Sequence, residues 1–290
     1  MPKDQLRIPA LDGYPLAATF FPAAAAAAPL VIIASATAVR RGYYARFAQF
    51  LARHGLQAVT FDYRGIGASR PPRLAGFRAS LHEWGELDLA GVIQWAAQEI
   101  RPPKLLLVGH SVAGQIFPLA ENHDLVQAAC FVASQFGYWK LWHGKERPLI
   151  WALWHVVIPG ATAVFDHFPG WLMGAGADLP GGVAAEWARW GRHPDYVLSH
   201  RADVRERFAA VRLPLQFLSF SDDALYAPQP AVVALMQAYG STEKKHRHLE
   251  PHEVGRRQIG HFGFFREAAS AALWQETLAW LQTHAAGEPQ

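Results

Sequence analysis

Cysteine and methionine are scarce in this sequence, with one Cys and three Met among 290 residues. A single cysteine excludes an intrachain disulfide, and Cys130 lies in an apolar run, so we expect a buried small side chain there. Basic residues form no stripe interleaved with aromatic side chains, and the formal charge is only +3. This distribution argues against a nucleic-acid partner.

Long apolar runs are also scarce. None follows the first residues of the chain, so no secretory leader is predicted and a cytoplasmic location is expected. Residues 149–165 are almost wholly apolar, but His155 and Pro159-Gly160 interrupt them. The run is also shorter than the roughly 20 residues of a spanning helix. We expect a buried or lid helix there, with contact to lipid as the alternative.

Elsewhere, short β-type runs alternate with longer amphipathic runs. This alternation is typical of an α/β protein with a mostly parallel sheet flanked by helices. Asp12-Gly13 is a turn dipeptide that predicts a hairpin between the first two strands. The predicted strands are 6–9, 16–20, 30–35, 57–62, 105–108, 128–134, 215–220 and 244–249, and the predicted helices are 43–54, 80–100, 228–239 and 265–284.

The alternation stops over residues 136–211, which contain no convincing strand and hold seven of the eleven Trp. We therefore predict an α/β core formed by 1–135 and 212–290, with 136–211 as an inserted helical cap. Pro-Gly pairs within the insert predict breaks between short helices. Most of the tryptophans are expected to attach the cap to the core. Pockets under a cap are usually apolar, which favours an apolar acyl or aromatic substrate.

The strand at 105–108 leads into Gly109-His110-Ser111-Val112-Ala113, which approximates the nucleophile elbow G-x-S-x-G. The turn is so sharp that larger side chains two positions before or after the serine would collide with the strand and helix. The position between a strand and a helix favours Ser111 as a nucleophile. The alternative is an ordinary strand-to-helix turn with a capping serine.

A serine hydroxyl needs a base to take its proton. His261 lies in a glycine-flanked loop after the last predicted strand, in the chain order serine, acid, histidine that such sites require. The acid should follow the strand after the insert, where Asp222 and Asp223 are adjacent. Counting from the strand start favours Asp223, with Asp222 as the alternative. The carboxylate would orient the imidazole and stabilise its protonated form.

An oxyanion needs two backbone N–H donors. We assign one to Val112, directly after the nucleophile, and the other to Thr37 in the small-residue loop after the 30–35 strand. His246, His248 and His252 show no transferable ligand pattern, so no metal site is predicted. The chemistry of the serine site requires no cofactor either.

The stretch Phe61-Asp62-Tyr63-Arg64-Gly65-Ile66-Gly67-Ala68-Ser69 resembles the D-x-R-G-x-G-x-S segment of α/β-hydrolases. Gly109-His110-Ser111 and Gly260-His261-Phe262 are similar to that superfamily's nucleophile and histidine loops. Together with Ser219-Phe220-Ser221-Asp222-Asp223, these motifs resemble a group of bacterial predicted α/β-hydrolases without an assigned substrate. The resemblance implies the α/β-hydrolase fold and the Ser-Asp-His triad. Ala113 replaces the usual elbow glycine, and Ser35-Ala36 stands where many relatives carry His-Gly.

The residues predict a serine hydrolase that cleaves a carboxylic ester or thioester with an apolar acyl group through an acyl-enzyme. Its partner would be a small apolar molecule, and the oligomeric state is left open. An acyltransferase or a cofactor-free haloperoxidase with the same triad is an alternative. A non-catalytic ligand-binding protein on this fold is another. Serine instead of aspartate at position 111 disfavours haloalkane dehalogenases and epoxide hydrolases.

Overall fold

The computed structural model describes residues 2–173, 176–266 and 271–286. Eight strands form one sheet, and they are β1 (Lys3–Pro9), β2 (Pro15–Phe21), β3 (Leu30–Ala34), β4 (Gln57–Phe61), β5 (Leu105–His110), β6 (Ala128–Val132), β9 (Leu215–Phe220) and β10 (Lys244–Leu249). Their order in the sheet is β1-β2-β4-β3-β5-β6-β9-β10. Strands β1 and β2 are antiparallel to each other, β2 is antiparallel to β4, and the remaining neighbours are parallel.

The central strands are buried on both faces. Every residue of β3, β4, β5, β6 and β9 is buried, and successive side chains of a strand point to opposite faces. Both faces are therefore covered, as is usual for a parallel sheet. Cys130 on β6 is buried as expected, and this burial raises the pKa of its thiol. The predicted mostly parallel α/β sheet is confirmed.

The predicted helices of the core are present, with small shifts at their ends. The helix over 81–100 begins after a capping box in which the Glu83 carboxylate accepts the Ser80 N–H at 2.6 Å. It contains two π-helical segments, Trp84–Leu89 and Ala96–Ile100. The other core helices are Ala45–Arg53, Ala113–Ile116, Gln229–Ala238, Gly260–Gly263 and Ala271–Ala285. The expected helix start near 265 is not observed, and residues 267–270 lie outside the described part.

The 61–69 motif forms a scaffold after β4. The Asp62 carboxylate pairs with Arg41 at 2.6 Å and accepts the Ala68 N–H at 2.9 Å. Gly67 has a φ of +52°, and a Cβ there would collide with the Asp62 carboxylate, so only glycine fits. The Ser69 hydroxyl closes the turn by donating to the Asp62 carbonyl at 2.7 Å. The motif thus stabilises the loop and does not itself supply reacting groups.

The insert differs from its sequence-based prediction in two ways. Pro159-Gly160 does not break a helix, because one helix runs through it from Glu146 to Phe165. By length and composition this helix could cross a membrane, because it begins three residues before the apolar run 149–165. A π-helical turn over Leu153–Val157 ends two residues before the proline. We attribute the tolerance of Pro159 to this turn, since the wider turn relieves the clash that proline causes within an α-helix.

The second difference is a pair of two-residue strands, β7 (His167–Phe168) and β8 (Leu179–Pro180), which are antiparallel. The sequence had predicted no strand in this region. Besides the helix Glu146–Phe165, the insert contains the α-helices Gly181–Arg192 and Val204–Ala210. The division of the chain into core and cap stays a prediction.

Candidate active site

Ser111 lies on a sharp turn between β5 and the helix Ala113–Ile116. Its φ is +54°, a conformation that residues other than glycine rarely adopt. A Cβ on Gly109 would lie 2.9 Å from the Phe131 ring and 3.0 Å from the Ala113 Cβ. These contacts are the collisions that the elbow motif predicts for larger side chains. The turn presents a strained, 5% exposed serine at the carboxyl end of a central strand.

Asp223 and His261 come together although 38 residues separate them. Asp223 follows β9 and His261 follows β10, and the His261 Nδ1 lies 2.7 Å from the Asp223 Oδ2. The other carboxylate oxygen accepts the Tyr226 N–H at 3.3 Å. Both side chains of this contact are at most 5% exposed, so bulk water screens their interaction little.

The Asp222 side chain contacts the backbone of the same loop. Its carboxylate oxygens accept the N–H groups of Ile259 at 2.8 Å and Gly260 at 2.9 Å. Of the two adjacent acids, the structure therefore brings Asp223 to the imidazole and Asp222 to the main chain beside it. Sequence reasoning treated them as competitors and missed this second role.

His110 joins three loops of the site, which the sequence did not reveal. The Ala36 N–H donates to the Tyr44 hydroxyl at 2.8 Å, and that hydroxyl lies 2.9 Å from His110 Nδ1. His110 Nε2 lies 2.9 Å from the His261 carbonyl oxygen. A carbonyl only accepts, so Nε2 carries the proton and Nδ1 accepts from Tyr44. All of these groups are satisfied when His110 is neutral.

Burial favours this neutral form. His110 is fully buried, and the loss of hydration lowers the pKa of its imidazole well below 6.5, with the nearby His261 adding to the effect. The buried ring also packs against Phe265 at a centroid distance of 5.0 Å. His110 is therefore a rigid, uncharged spacer beside the serine.

The two predicted oxyanion donors lie after neighbouring strands. Thr37 follows β3 and Val112 follows β5, and these strands are paired in parallel with Ala34 opposite Gly109. Neither N–H has a backbone acceptor among the described residues. The Thr37 hydroxyl is likewise buried without a hydrogen-bond partner within that part of the chain. Unsatisfied donors of this kind are what a substrate oxygen requires.

Two clefts adjoin the histidine loop. One of about 680 Å³ is lined by Asp223 and His261, and one of about 540 Å³ is lined by Thr37 and by Gly176-Ala177 of the insert. Tyr226 and Phe262 line both. A cleft of about 790 Å³ at Arg41 and Asp62 touches none of the predicted catalytic residues. The insert thus forms part of the wall beside the predicted oxyanion loop.

The insert also contacts the helix that follows the serine. The Trp187 indole donates to the Tyr196 hydroxyl at 2.9 Å, and that hydroxyl donates to Gln115 Oε1 at 2.7 Å. Burial raises the pKa of Tyr196, so it stays a neutral donor. This chain fixes the insert to the residues directly behind the elbow.

Two clusters of histidine side chains are relevant to the prediction that the protein has no metal site. His246 and His248 both lie within 2.8 Å of the Ser219 hydroxyl. A cluster that the sequence did not single out consists of His82, Glu186 and His200, whose ligand atoms lie within 4.8 Å of one another. Its carboxylate is already paired with Arg189 at 2.7 Å. A cation there would have to compete with this guanidinium.

The family comparison agrees with this architecture. A model described as "Alpha/beta hydrolase family" matches residues 30–276. A search of curated protein sequences found no significant match.

Similar solved structures include a soluble variant of monoglyceride lipase from Saccharomyces cerevisiae, with a TM-score of 0.70 and 14% identity over 98% of this chain and 97% of that one. The α/β hydrolase GrgF from Penicillium sp. sh18 has a TM-score of 0.65 and 19% identity over 99% of each chain. Est1E from Butyrivibrio proteoclasticus, solved with ferulic acid, has a TM-score of 0.63 and 15% identity over 98% of this chain and 100% of that one. At these identities the likeness shows the fold alone. Because the family model covers most of its length, the chain belongs to the α/β-hydrolase family.

Proposed function

We propose that this protein is a serine hydrolase that cleaves a carboxylic ester or thioester with an apolar acyl group. The observation that carries the proposal is the 2.7 Å contact between His261 Nδ1 and Asp223, on a loop tied to the serine motif through His110. The strained elbow at Ser111 supplies the nucleophile. Esterases and a lipase among the structural neighbours are consistent with this chemistry.

In the proposed mechanism, the Ser111 Oγ attacks the substrate carbonyl carbon while the His261 Nε2 takes the hydroxyl proton. Asp223 accepts the hydrogen bond of the Nδ1 proton, which leaves Nε2 as the nitrogen that can take the serine proton and stabilises the resulting imidazolium. The proton passes to the leaving alcohol or thiol as the acyl-enzyme forms. Water then attacks the acyl group, gives a proton to His261, and releases the acid and the free serine.

The N–H groups of Val112 and Thr37 are the proposed donors to the oxyanion. Both follow strands that lie side by side, and both lack a backbone acceptor among the described residues. Donors that are held in place before reaction stabilise the developing charge without reorganisation.

The proposal is tested by fluorophosphonate labelling followed by intact-mass analysis. Wild-type protein should gain one adduct, and Ser111→Ala should gain none. Ser221→Ala, an exposed serine next to Asp222, is the matched control and should label like wild type. A series of p-nitrophenyl esters and acyl-CoAs would separate ester from thioester cleavage. Labelling of Ser111→Ala would assign the nucleophile to another residue, and an unlabelled wild type without turnover would leave the protein as a ligand-binding member of the family.

A further inference from the structure

The helix Glu146–Phe165 is attached to the protein by one face. The Trp154 ring packs against Trp187 with centroids 4.7 Å apart, and its indole donates to the Gly137 carbonyl at 3.1 Å. These contacts hold the helix along the protein surface, against the helix Gly181–Arg192. Its buried side chains recur every three or four residues, as those on a single face do, and are Ile150, Trp154, Ile158 and Ala161.

The opposite face of this helix is apolar and open to solvent. Leu149, Val156 and Val164 are seven and eight residues apart and are 58%, 56% and 74% exposed. Only 22% of the most apolar 18-residue stretch of the helix is buried. Six of the nine large apolar side chains that are exposed within the described residues lie on this helix or just after it. Leu149, Val156 and Val164 lie away from the buried side chains, whereas Trp151 flanks them and Trp171 follows the helix. We call the whole set the apolar face: Leu149, Trp151, Val156, Val164, Phe165 and Trp171. An exposed apolar concentration of this kind marks a contact surface.

The chemistry of the apolar face fits lipid better than protein. Between Arg147 and Asp166 no side chain is charged apart from a protonatable histidine. His155 Nδ1 and the Thr162 hydroxyl bond to backbone carbonyls of their own helix at 2.8 Å, which leaves the second imidazole nitrogen and two tryptophan N–H groups as the main polar groups of this surface. Protein interfaces carry about one hydrogen bond per 100–200 Å² of contact, and this surface has few groups to form them. Acyl chains require none.

The rim of the apolar face is basic where the helix begins, whereas the exposed Asp166 follows its last residue. Lys140, Lys145 and Arg147 are exposed at the beginning of the helix, and Glu146 is the one acidic residue among them. Long basic side chains can bury their stems against apolar surface while their charges reach an anionic headgroup. A helix with an apolar face and a basic rim is typical of segments that lie in a membrane interface.

We propose that the apolar face docks on the surface of a lipid bilayer that contains anionic lipids. The helix then lies parallel to the membrane, with Ile150 and Trp154 still packed on the protein. Trp171 follows this helix, and five residues later Gly176 lines the 540 Å³ cleft that includes Thr37. An apolar ester dissolved in the membrane would therefore enter close to the site. Delivery of a membrane-dissolved ester to the site depends on the proposed function, whereas binding of the apolar face to the bilayer does not.

The test is vesicle co-sedimentation of the full chain carrying Ser111→Ala, so that hydrolysis cannot alter the lipid. The vesicles are phosphatidylcholine alone or phosphatidylcholine mixed with phosphatidylglycerol. Val156→Glu/Val164→Glu places charges in the apolar face at exposed positions, where folding should be unaffected. The matched control is Leu11→Glu/Leu125→Glu, which charges two exposed leucines elsewhere (45% and 40% exposed).

We expect binding to mixed vesicles that the Val156→Glu/Val164→Glu variant weakens by at least about tenfold, because charges are costly among acyl chains. The Leu11/Leu125 control should bind like the parent. Lys145→Glu/Arg147→Glu should remove the preference for phosphatidylglycerol. Brominated lipids should quench tryptophan fluorescence, and Trp171→Ser should reduce the quenching.

Three results would overturn the proposal. The first is no vesicle binding by the folded parent, and the second is an equal loss in the Leu11/Leu125 control. The third is a dimer, seen by light scattering without vesicle binding, that Val156→Glu/Val164→Glu dissociates, since a second copy would then cover the face. Hydrolysis of p-nitrophenyl acetate in water, measured with Ser111 intact, should survive Val156→Glu/Val164→Glu. Loss of docking is thereby distinguished from failure of the proposed chemistry.

Discussion

His110 Nε2 donates a hydrogen bond to the carbonyl oxygen of His261 at 2.9 Å, so the residue before the proposed nucleophile holds the backbone of the proposed base. The same ring is fixed from its other nitrogen by Tyr44. The position of one catalytic loop is therefore coupled to that of the other. Substitutions at His110 and at the two adjacent acids test this coupling.

Replacing His110 with leucine should impair both catalysis and folding. The substitution leaves the Tyr44 hydroxyl and the His261 carbonyl without their partner, and each unsatisfied buried group costs about 1–3 kcal/mol. We expect kcat for an activated ester to fall about tenfold to a hundredfold. His110→Gln can still donate from its amide and should recover part of the loss. Equal kcat in wild type and both variants would show that His110 is a packing residue only.

Stability should depend on pH through His110. Its pKa in the folded protein is well below 6.5, so below that pH the unfolded chain binds a proton that the folded chain does not. The stabilising contribution is present above pH 6.5 and is lost as the pH falls, by up to about 1.4 kcal/mol per pH unit. Urea unfolding at several pH values should therefore show a shallower acid decline for His110→Leu than for wild type. Parallel curves would contradict the neutral assignment.

Asp223→Asn should cost far more activity than Asp222→Asn. Asp223 contacts the imidazole itself, and an amide there favours the wrong tautomer, so turnover should fall by about a thousandfold or more. Asp222 acts through the Ile259 and Gly260 N–H groups, and an asparagine keeps one acceptor oxygen, so we expect about tenfold or less. Thermal unfolding checks that both variants are folded. The reverse ranking would assign the orienting role to Asp222.

Much of the fold and of the proposed site could be predicted from the sequence because these features depend on local patterns. Buried strands read as continuous apolar runs, and the predicted strand 215–220 matches β9 residue for residue. The elbow could be placed because Gly109 and Ala113 leave room that larger residues would fill. Asp223 could be preferred over Asp222 by counting residues from the start of the strand that precedes both.

The missed features depend on contacts between distant residues. His110 acts through Tyr44, 66 residues earlier, and His261, 151 residues later, and no local pattern encodes such partners. The break expected at Pro159 was wrong because a π-helical turn precedes it, a feature that depends on backbone hydrogen bonding and leaves no composition signal. Whether a run such as 149–165 is buried or exposed likewise depends on what packs against it.

The length of the acyl group should control kcat/KM. The 540 Å³ cleft is lined by Thr37, Val39 and Gly176-Ala177, and we expect an acyl chain esterified to the Ser111 Oγ to extend into it. Each buried methylene contributes about 0.8 kcal/mol, or about fourfold in kcat/KM, until the cleft is full. A p-nitrophenyl ester series from acetate to dodecanoate should therefore rise and then fall. Val39→Trp reduces the cleft and should move the maximum to a shorter acyl group, whereas Leu125→Trp, at an exposed site outside it, should not. A flat series in wild type would show that the cleft does not hold the acyl chain, and an unmoved maximum in Val39→Trp would place that chain elsewhere.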